Sequence, residues 1–283
     1  MGVEFYPHYE MSKFLTGLDI VILAIPLIKF EDIVCGLPAD LFRGKLVVDV
    51  CPLNVHPREV LLRVFGSRPD IDILCSHPMF GPVETFAGKV TSGATELDDP
   101  YASSYWDGRP MVYERVRISD VSRFEKYLKI FEEARCRLVE MSAEQHDSSI
   151  ADAEFVTHLT GRLLVDKELL PPSPVISKEY AALCDVAEMT SGDSFDLFFG
   201  MFKFNQNARV HLTKMRDNLA KLEQQLAAKE AYLAASAEMQ NSDRQRLIAE
   251  TKLLLQEIAM KGGLDEAAKS MFSPDAENKP KQQ

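Results

Sequence analysis

Three short apolar runs constrain this chain more than anything else in it. Asp19-Ile20-Val21-Ile22-Leu23-Ala24-Ile25-Pro26, Leu46-Val47-Val48-Asp49-Val50 and Ile71-Asp72-Ile73-Leu74-Cys75 succeed one another at intervals of about 26 residues. Each run is nearly continuous in apolar residues rather than alternating. That is the pattern of a strand buried on both faces, as in a parallel sheet. Segments of helical spacing lie between them: Phe30–Leu41, which Gly44 follows, and Pro57–Phe65 with Val60, Leu61 and Val64. Strand alternating with helix predicts a doubly wound α/β sheet.

The third run ends abruptly at Ser76-His77-Pro78-Met79-Phe80-Gly81-Pro82, where two prolines and a glycine stop it. His77 is therefore expected at the carboxyl end of a strand, the edge along which open parallel sheets place their ligands. An imidazole there can take or give a proton near neutral pH. A histidine that merely caps a turn would look the same from this string alone. Residues 83–108 carry little periodicity and read as a long loop over the site, with Trp106, the single tryptophan, near its end. Pro110–Tyr113 and Cys136–Met141 read as further strands. A helix is expected over Ser119–Ala134, with Ser119 and Asp120 as caps.

From Ser142 the pattern turns helical. Ser142–Asp147 supplies capping residues, and His146 reads as one of them. Ile150–Leu164, Lys178–Thr190 and the aromatic stretch Ser194–Phe202 are helices, with a break at Pro171–Pro174. Leu212, Leu219, Leu226 and Leu233 recur every seven residues with Met215 and Leu222 between them, and Lys229 interrupts the pattern. A coiled-coil seam and a helix packed on its own domain fit that spacing equally. A further helix is expected over Ser242–Lys261, then a disordered end. The domains expected are 1–141, 142–235 and a tail, 236–283.

Composition narrows the function. A net charge of −11, from 32 basic against 43 acidic residues, disfavours nucleic acid or an anionic membrane as the main partner. The five cysteines are scattered, with no CxxC and no His/Cys cluster, so no metal site is expected and reduced thiols are. No apolar run approaches a membrane span. The first residues resemble neither a signal nor a transit peptide, so a soluble intracellular protein is expected.

Several unusual strings, in order, resemble the prephenate/arogenate dehydrogenase family of tyrosine biosynthesis, the plant-type arogenate dehydrogenases most of all. They are Asp19–Pro26, Leu46–Val50, Asp72–Pro82, Pro110–Ile118, Cys136-Arg137-Leu138-Val139-Glu140-Met141-Ser142-Ala143-Glu144-Gln145-His146-Asp147, Phe155-Val156-Thr157-His158-Leu159-Thr160-Gly161-Arg162 and Asp193–Phe198. The resemblance covers roughly residues 1–210. It implies a partial Rossmann-type domain followed by a helical dimerisation domain, and an NAD(P)-dependent oxidative decarboxylation of arogenate or prephenate. His77 is implied as the catalytic base, and His158, Ser76 and Gly81 as substrate-binding residues. Ala24, Ile25, Pro26 and Cys51 are implied to line the cofactor. The plant-type likeness implies NADP rather than NAD, a homodimer and, from the family, a plastid location; otherwise the cytoplasm is expected.

Three positions depart from the family pattern. No GxGxxG string is present, and the chain reads as starting near the third strand of the family fold, without the first βαβ unit. That leaves the strand at residues 20–25, or its neighbour, as an apolar edge. The position of a serine that bonds the catalytic histidine is Pro52, with Asn54 where a lysine is usual. The arginine expected opposite the substrate carboxylate falls on Asp185. Two readings therefore stay open: a dehydrogenase, represented by an incomplete chain, and a non-catalytic family member that acts as a dimerising interaction protein.

Overall fold

The first three strands arise from the three apolar runs. They are β1 (Ile20–Leu23), β2 (Leu46–Asp49) and β3 (Asp72–Pro78), and they pair in parallel in that order. The structure, a computed structural model, describes residues 4–80, 106–166, 177–238 and 241–260. Gly81, residues 83–105 of the expected covering loop, the break at Pro171–Pro174 and the tail beyond 260 lie outside the described residues. β4 (Pro110–Arg117) runs antiparallel to β3, and β5 (Arg137–Glu140) is parallel to β4. The sheet order is β1-β2-β3-β4-β5. β1 forms one edge, with Ile22 half exposed, as expected of the run at 20–25.

Burial explains the composition of the strands. Every residue of β2 is buried, and β3 is buried from Asp72 to Ser76. The charge in that run, Asp72, is satisfied by the residues just after β4. Its carboxylate accepts the backbone N–H groups of Ser119 and Asp120 at 2.7 and 3.0 Å. Those residues lead into a helix whose N-cap is Asp120, accepting from the Arg123 N–H. Among the described residues four α-helices accompany the sheet: α1 (Met11–Leu15), α2 (Phe30–Cys35), α3 (Val55–Phe65) and α4 (Val121–Glu133). Tyr127 and Phe131 of α4 pack over Leu46, Val48, Leu74 and Met111 of three strands. α3 is tied to the sheet at its far end by Arg117, which donates to the carbonyls of Phe65 and Gly66 at 2.8 and 3.1 Å. These bonds satisfy carbonyls that the helix end leaves unpaired.

The helical part begins earlier than the apolar spacing suggests. α5 (Ala143–Ile150) starts with a capping box between Ser142 and Gln145. A five-residue π-helical segment, Ala151–Phe155, then leads directly into α6 (Val156–Asp166). α7 (Lys178–Gly192), α8 (Phe195–Phe204), α9 (Gln206–Glu238) and α10 (Asn241–Met260) come after it. α6 and α7 cross closely at Gly161. A Cβ there would overlap Thr190 Oγ1 and lie 2.9 Å from the Val186 carbonyl oxygen, so glycine is what allows the approach.

Two compact units result, Met1–His211 and Leu212–Gln283. The boundary expected between residues 141 and 142 falls inside the first of them. Cys51, Cys75 and Cys136 are buried, Cys184 is half-buried and Cys35 is exposed, all as free thiols. Among the described residues no helix is long and apolar enough to cross a membrane.

Candidate functional site

His77 is the last residue but one of β3. Successive side chains of a strand point to opposite faces, so Ser76 and His77 part company. Ser76 turns into the core, where its hydroxyl donates to the Asp49 carbonyl at 2.7 Å and lies 3.3 Å from the Tyr127 hydroxyl. His77 turns the other way. It lines a cavity of about 400 Å³ between the carboxyl edge of the sheet and the helices that follow. Pro52, Pro78, Met79 and Phe80 share its side of the cavity; Glu154, Thr157, His158, Asp193 and Met201 line the other. Phe80 is held by Trp106, ring centroids 4.8 Å apart, so the lone tryptophan supports the wall.

The ring of His77 is wired into the protein behind it. Its Nδ1 is 3.0 Å from Nε2 of His146, and Nδ1 of His146 is 2.8 Å from Oδ1 of Asp147. Asp147 Oδ1 also accepts the Asn54 N–H at 2.8 Å, and Oδ2 accepts the Val55 N–H at 3.1 Å. These donors sit at the N-terminus of α3, where unpaired N–H groups and the helix dipole favour an anion. From the other side, Asn205 Nδ2 donates to the Asp147 carbonyl at 2.6 Å. His146 and Asp147 are almost fully buried. His146 is therefore no cap; the Ser142–Gln145 box fills that role, and His146 joins His77 to a clamped carboxylate. Burial, then the neighbouring His146, push the His77 pKa down to about 3, so the ring is neutral at physiological pH.

Sequence reasoning misses this chain of three residues, yet its signal is there. Ala143, His146, Asp147 and Ile150 have the spacing of one helical face and all are buried. A His and an Asp on such a face need partners, because a buried polar group without a hydrogen bond is costly.

His158, from α6, faces the cavity from the helical side. Its Nε2 is 3.6 Å from Asp193 Oδ2, and its Nδ1 is buried without a hydrogen-bond partner. Burial pushes its pKa down, against Asp193 and Glu154, which push it up. Asp185 of α7 is exposed and is not among the residues lining the cavity. The described lining holds Glu154 and Asp193 and no Lys or Arg.

Ala24, Ile25 and Pro26 follow β1 at the same sheet edge, with Ala24 and Pro26 exposed. Cys51 is buried; its thiol faces the Ile25 carbonyl at 3.7 Å and its N–H donates to Asp49 Oδ1 at 3.1 Å. None of these four residues lines the cavity, but Pro52, next to Cys51, does. Gly81 lies outside the described residues. Below the edge, burial pushes the Asp49 carboxyl up to about 7. Among the described residues no group of three or more His, Cys, Asp or Glu could hold a metal ion.

Over 202 residues the chain is 38% identical to Arabidopsis thaliana arogenate dehydrogenase 2, chloroplastic, which takes in 70% of this chain and 51% of that protein. The chain is a relative of plant arogenate dehydrogenases. It is likewise 38% identical over 195 residues to the Arabidopsis arogenate dehydrogenase 1, chloroplastic, covering 67% of this chain and 28% of that protein. The chain thus spans about half the length of the first of these relatives and less of the second. Residues 164–238 match the family described as TYRAAT1-like, C-terminal domain. That match reaches beyond residue 210, where the likeness in the sequence strings ends. The crystal structure of prephenate dehydrogenase from Aquifex aeolicus shares the fold, with a TM-score of 0.51, 18% identity, 88% of this chain and 81% of that chain covered. The same enzyme in complex with hydroxyphenyl propionate and NAD+ gives a TM-score of 0.51 at 19% identity, covering 88% and 79%.

Proposed function

We propose that the chain catalyses the NAD(P)-dependent oxidative decarboxylation of arogenate, with His77 as the base. The observation that carries this reading is a neutral histidine at the sheet edge, facing a cavity and backed by a second histidine and a carboxylate. The substrate is a cyclohexadienol with a ring carboxylate and a hydroxyl opposite it. Its oxidation requires a base at the hydroxyl, and an unprotonated imidazole suits that task. His77 Nε2 takes the hydroxyl proton as the carbinol carbon gives up its hydride and becomes a carbonyl. The bond from the ring to its carboxylate then breaks, carbon dioxide leaves, and the bonding pair completes the aromatic ring. The same oxygen, now a phenolate, takes the proton back from His77, so no proton is gained or lost overall.

A nicotinamide dinucleotide, when bound, would accept the hydride. The fit is partial. Ala24 and Pro26 are exposed at the sheet edge, with Ile25 and the buried Cys51 behind them, and Pro52, next to Cys51, lines the cavity with His77; this supports the nicotinamide end lying there. The 283 residues contain no GxGxxG for the pyrophosphate. The likeness to plant-type enzymes supports NADP; the solved Aquifex complex holds NAD+. The acids of the lining, Glu154 and Asp193, support arogenate over prephenate. They would attract the side-chain ammonium that arogenate carries where prephenate has a ketone. The curated relatives are named chloroplastic, which supports a plastid location.

Purified chain mixed with arogenate, and with prephenate, in the presence of NADP or NAD tests this reading. Reduced cofactor and carbon dioxide should form in equal amounts, faster with arogenate. Binding of substrate without turnover would select the second reading, a non-catalytic family member.

A homodimer is part of the same reading. Phe195 and Phe199 of α8 are 65% and 42% exposed, and Leu212, Leu219, Leu226 and Leu233 of α9 are all exposed at seven-residue spacing. Flanking that seam, Arg216 precedes Glu223 and Glu230 at the same heptad position. An antiparallel second copy would set the basic start of one helix against the acidic end of the other. Sedimentation of the intact chain should give a dimer that Leu219→Glu weakens; a monomer at micromolar concentration would reject it. Phe198 is a poorer test site, because its ring stacks on Phe155 within the chain, centroids 5.3 Å apart.

A further inference from the structure

We propose that Asp147 and His146 are positioning residues: they hold His77 as the tautomer with Nδ1 protonated and Nε2 bare toward the cavity, and they carry the charge when Nε2 takes a proton. This rests on the reading of His77 as the base.

Counting protons along three contacts fixes the tautomer. The Asp147 carboxylate already accepts two backbone N–H groups, from Asn54 and Val55. It has no proton to offer, so His146 Nδ1, 2.8 Å away, donates to it. A neutral imidazole has one N–H, and His146 has used its own. His146 Nε2 is therefore an acceptor. The group facing it at 3.0 Å is His77 Nδ1, which must donate. That leaves the lone pair of His77 on Nε2, the nitrogen not engaged by His146. With His146 neutral, each step has one solution once the carboxylate is placed; the N-terminus of α3 places it, and Asn205 holds the Asp147 backbone carbonyl. Pro52, the neighbour of His77 in the cavity wall, has no hydroxyl that could orient the ring instead.

The same contacts answer a difficulty. Burial makes a charged His77 unfavourable, and a ring that resists charge is a weak base. The relay removes the charge from it. As the Nε2–H bond forms, the Nδ1–H bond of His77 breaks and its proton joins His146 Nε2. The positive charge then resides on His146, 2.8 Å from the Asp147 carboxylate. Return of the proton to the phenolate reverses both transfers, and no other donor or acceptor is needed. Orientation of a catalytic histidine by a buried carboxylate obeys the same logic in hydrolase triads, where the carboxylate fixes the tautomer and stabilises the imidazolium.

The test reads ring protonation directly, with no need for turnover. In the full chain labelled with 15N-histidine, bare and protonated ring nitrogens resonate far apart. His77→Gln and His146→Gln assign the two signals. Near neutral pH both rings should show a protonated Nδ1 and a bare Nε2. Asp147→Asn should move the His77 proton to Nε2, wholly or in part. A wild-type His77 with its proton on Nε2 would overturn the proposal, as would a folded Asp147→Asn whose His77 signal is unchanged. If Asp147→Asn fails to fold, the wild-type pattern alone decides. With arogenate and a nicotinamide cofactor, Asp147→Asn should lower kcat by about 10²–10⁴-fold, with KM changed only a few-fold. A chain with the expected tautomers and no turnover would overturn the proposed function and leave the relay standing. Turnover with the opposite tautomer would do the reverse.

Discussion

The cavity has a histidine at each end, and the two are held differently. At the sheet end, His77 is joined through His146 to a carboxylate that is itself gripped by a helix N-terminus. At the helical end, His158 has a loose contact with Asp193 and a buried Nδ1 without a partner. Burial pushes the pKa of both rings down, that of His77 to about 3. The difference lies in what stands behind them. A ring with a defined proton on its far side has a defined lone pair on its near side, which a base requires. A ring whose Nε2 has only a loose contact with Asp193 is suited to hold something that arrives.

The largest effect should come from breaking the sheet end. His77→Ala should lower turnover of arogenate by about 10²–10⁴-fold and leave cofactor affinity nearly unchanged; steady-state kinetics beside a cofactor titration check both. Next comes the frame of the helical end. Gly161→Ala should destabilise the protein by about 1–3 kcal/mol, because the added methyl collides with Thr190 and the Val186 carbonyl where α6 and α7 cross. Thermal melting should show it, and His158 and Asp193, carried by and just beyond those helices, should lose their spacing. His158→Ala should then raise KM roughly tenfold, as for one lost hydrogen bond to a charged group, with a smaller change in kcat. A larger loss in kcat than in KM would put both histidines in the chemistry and erase the contrast.

The smallest effect lies beneath the sheet end. The folded Asp49 carboxyl titrates at about 7 rather than its ordinary 3.8, through burial. The folded state therefore holds a proton that the unfolded chain loses between these values. Its contribution to stability is fully present below about pH 4 and is lost as pH rises toward 7. His77 acts in the opposite sense: its folded pKa is about 3 against 6.5, so its contribution is present above 6.5 and lost as pH falls toward 3. Asp49→Asn should flatten the first slope and leave the second, which denaturant melts from pH 4 to 8 would separate.

Much of this is legible in the residues. Strands buried on both faces leave an unbroken apolar signature, so β1, β2 and β3 can be read directly, and Pro78 and Gly81 mark the edge at which His77 lies. The direction of β4 cannot be read, because nothing in Pro110–Arg117 records which way the chain returned. The family resemblance draws Ser76 toward the substrate beside its neighbour, although strand alternation alone sends it to the core beside Tyr127. His146 reads as a cap because capping residues crowd the start of a helix; the buried face of Ala143, His146, Asp147 and Ile150 carries the better signal. Glu154 and Asp193 belong to segments far apart in the chain. Only the packing of α6 on α7 and the turn into α8 brings them to one cavity, and no local pattern encodes that.

That His77 accepts the substrate's proton is tested most directly by mixing arogenate and NADP with the wild-type chain and with His77→Ala, and following reduced cofactor together with carbon dioxide. The wild type should release both in equal amounts, and the variant should do so at a rate about 10²–10⁴-fold lower. Turnover undiminished in His77→Ala would contradict the role of this ring, as would a wild-type chain that binds both molecules and releases neither product.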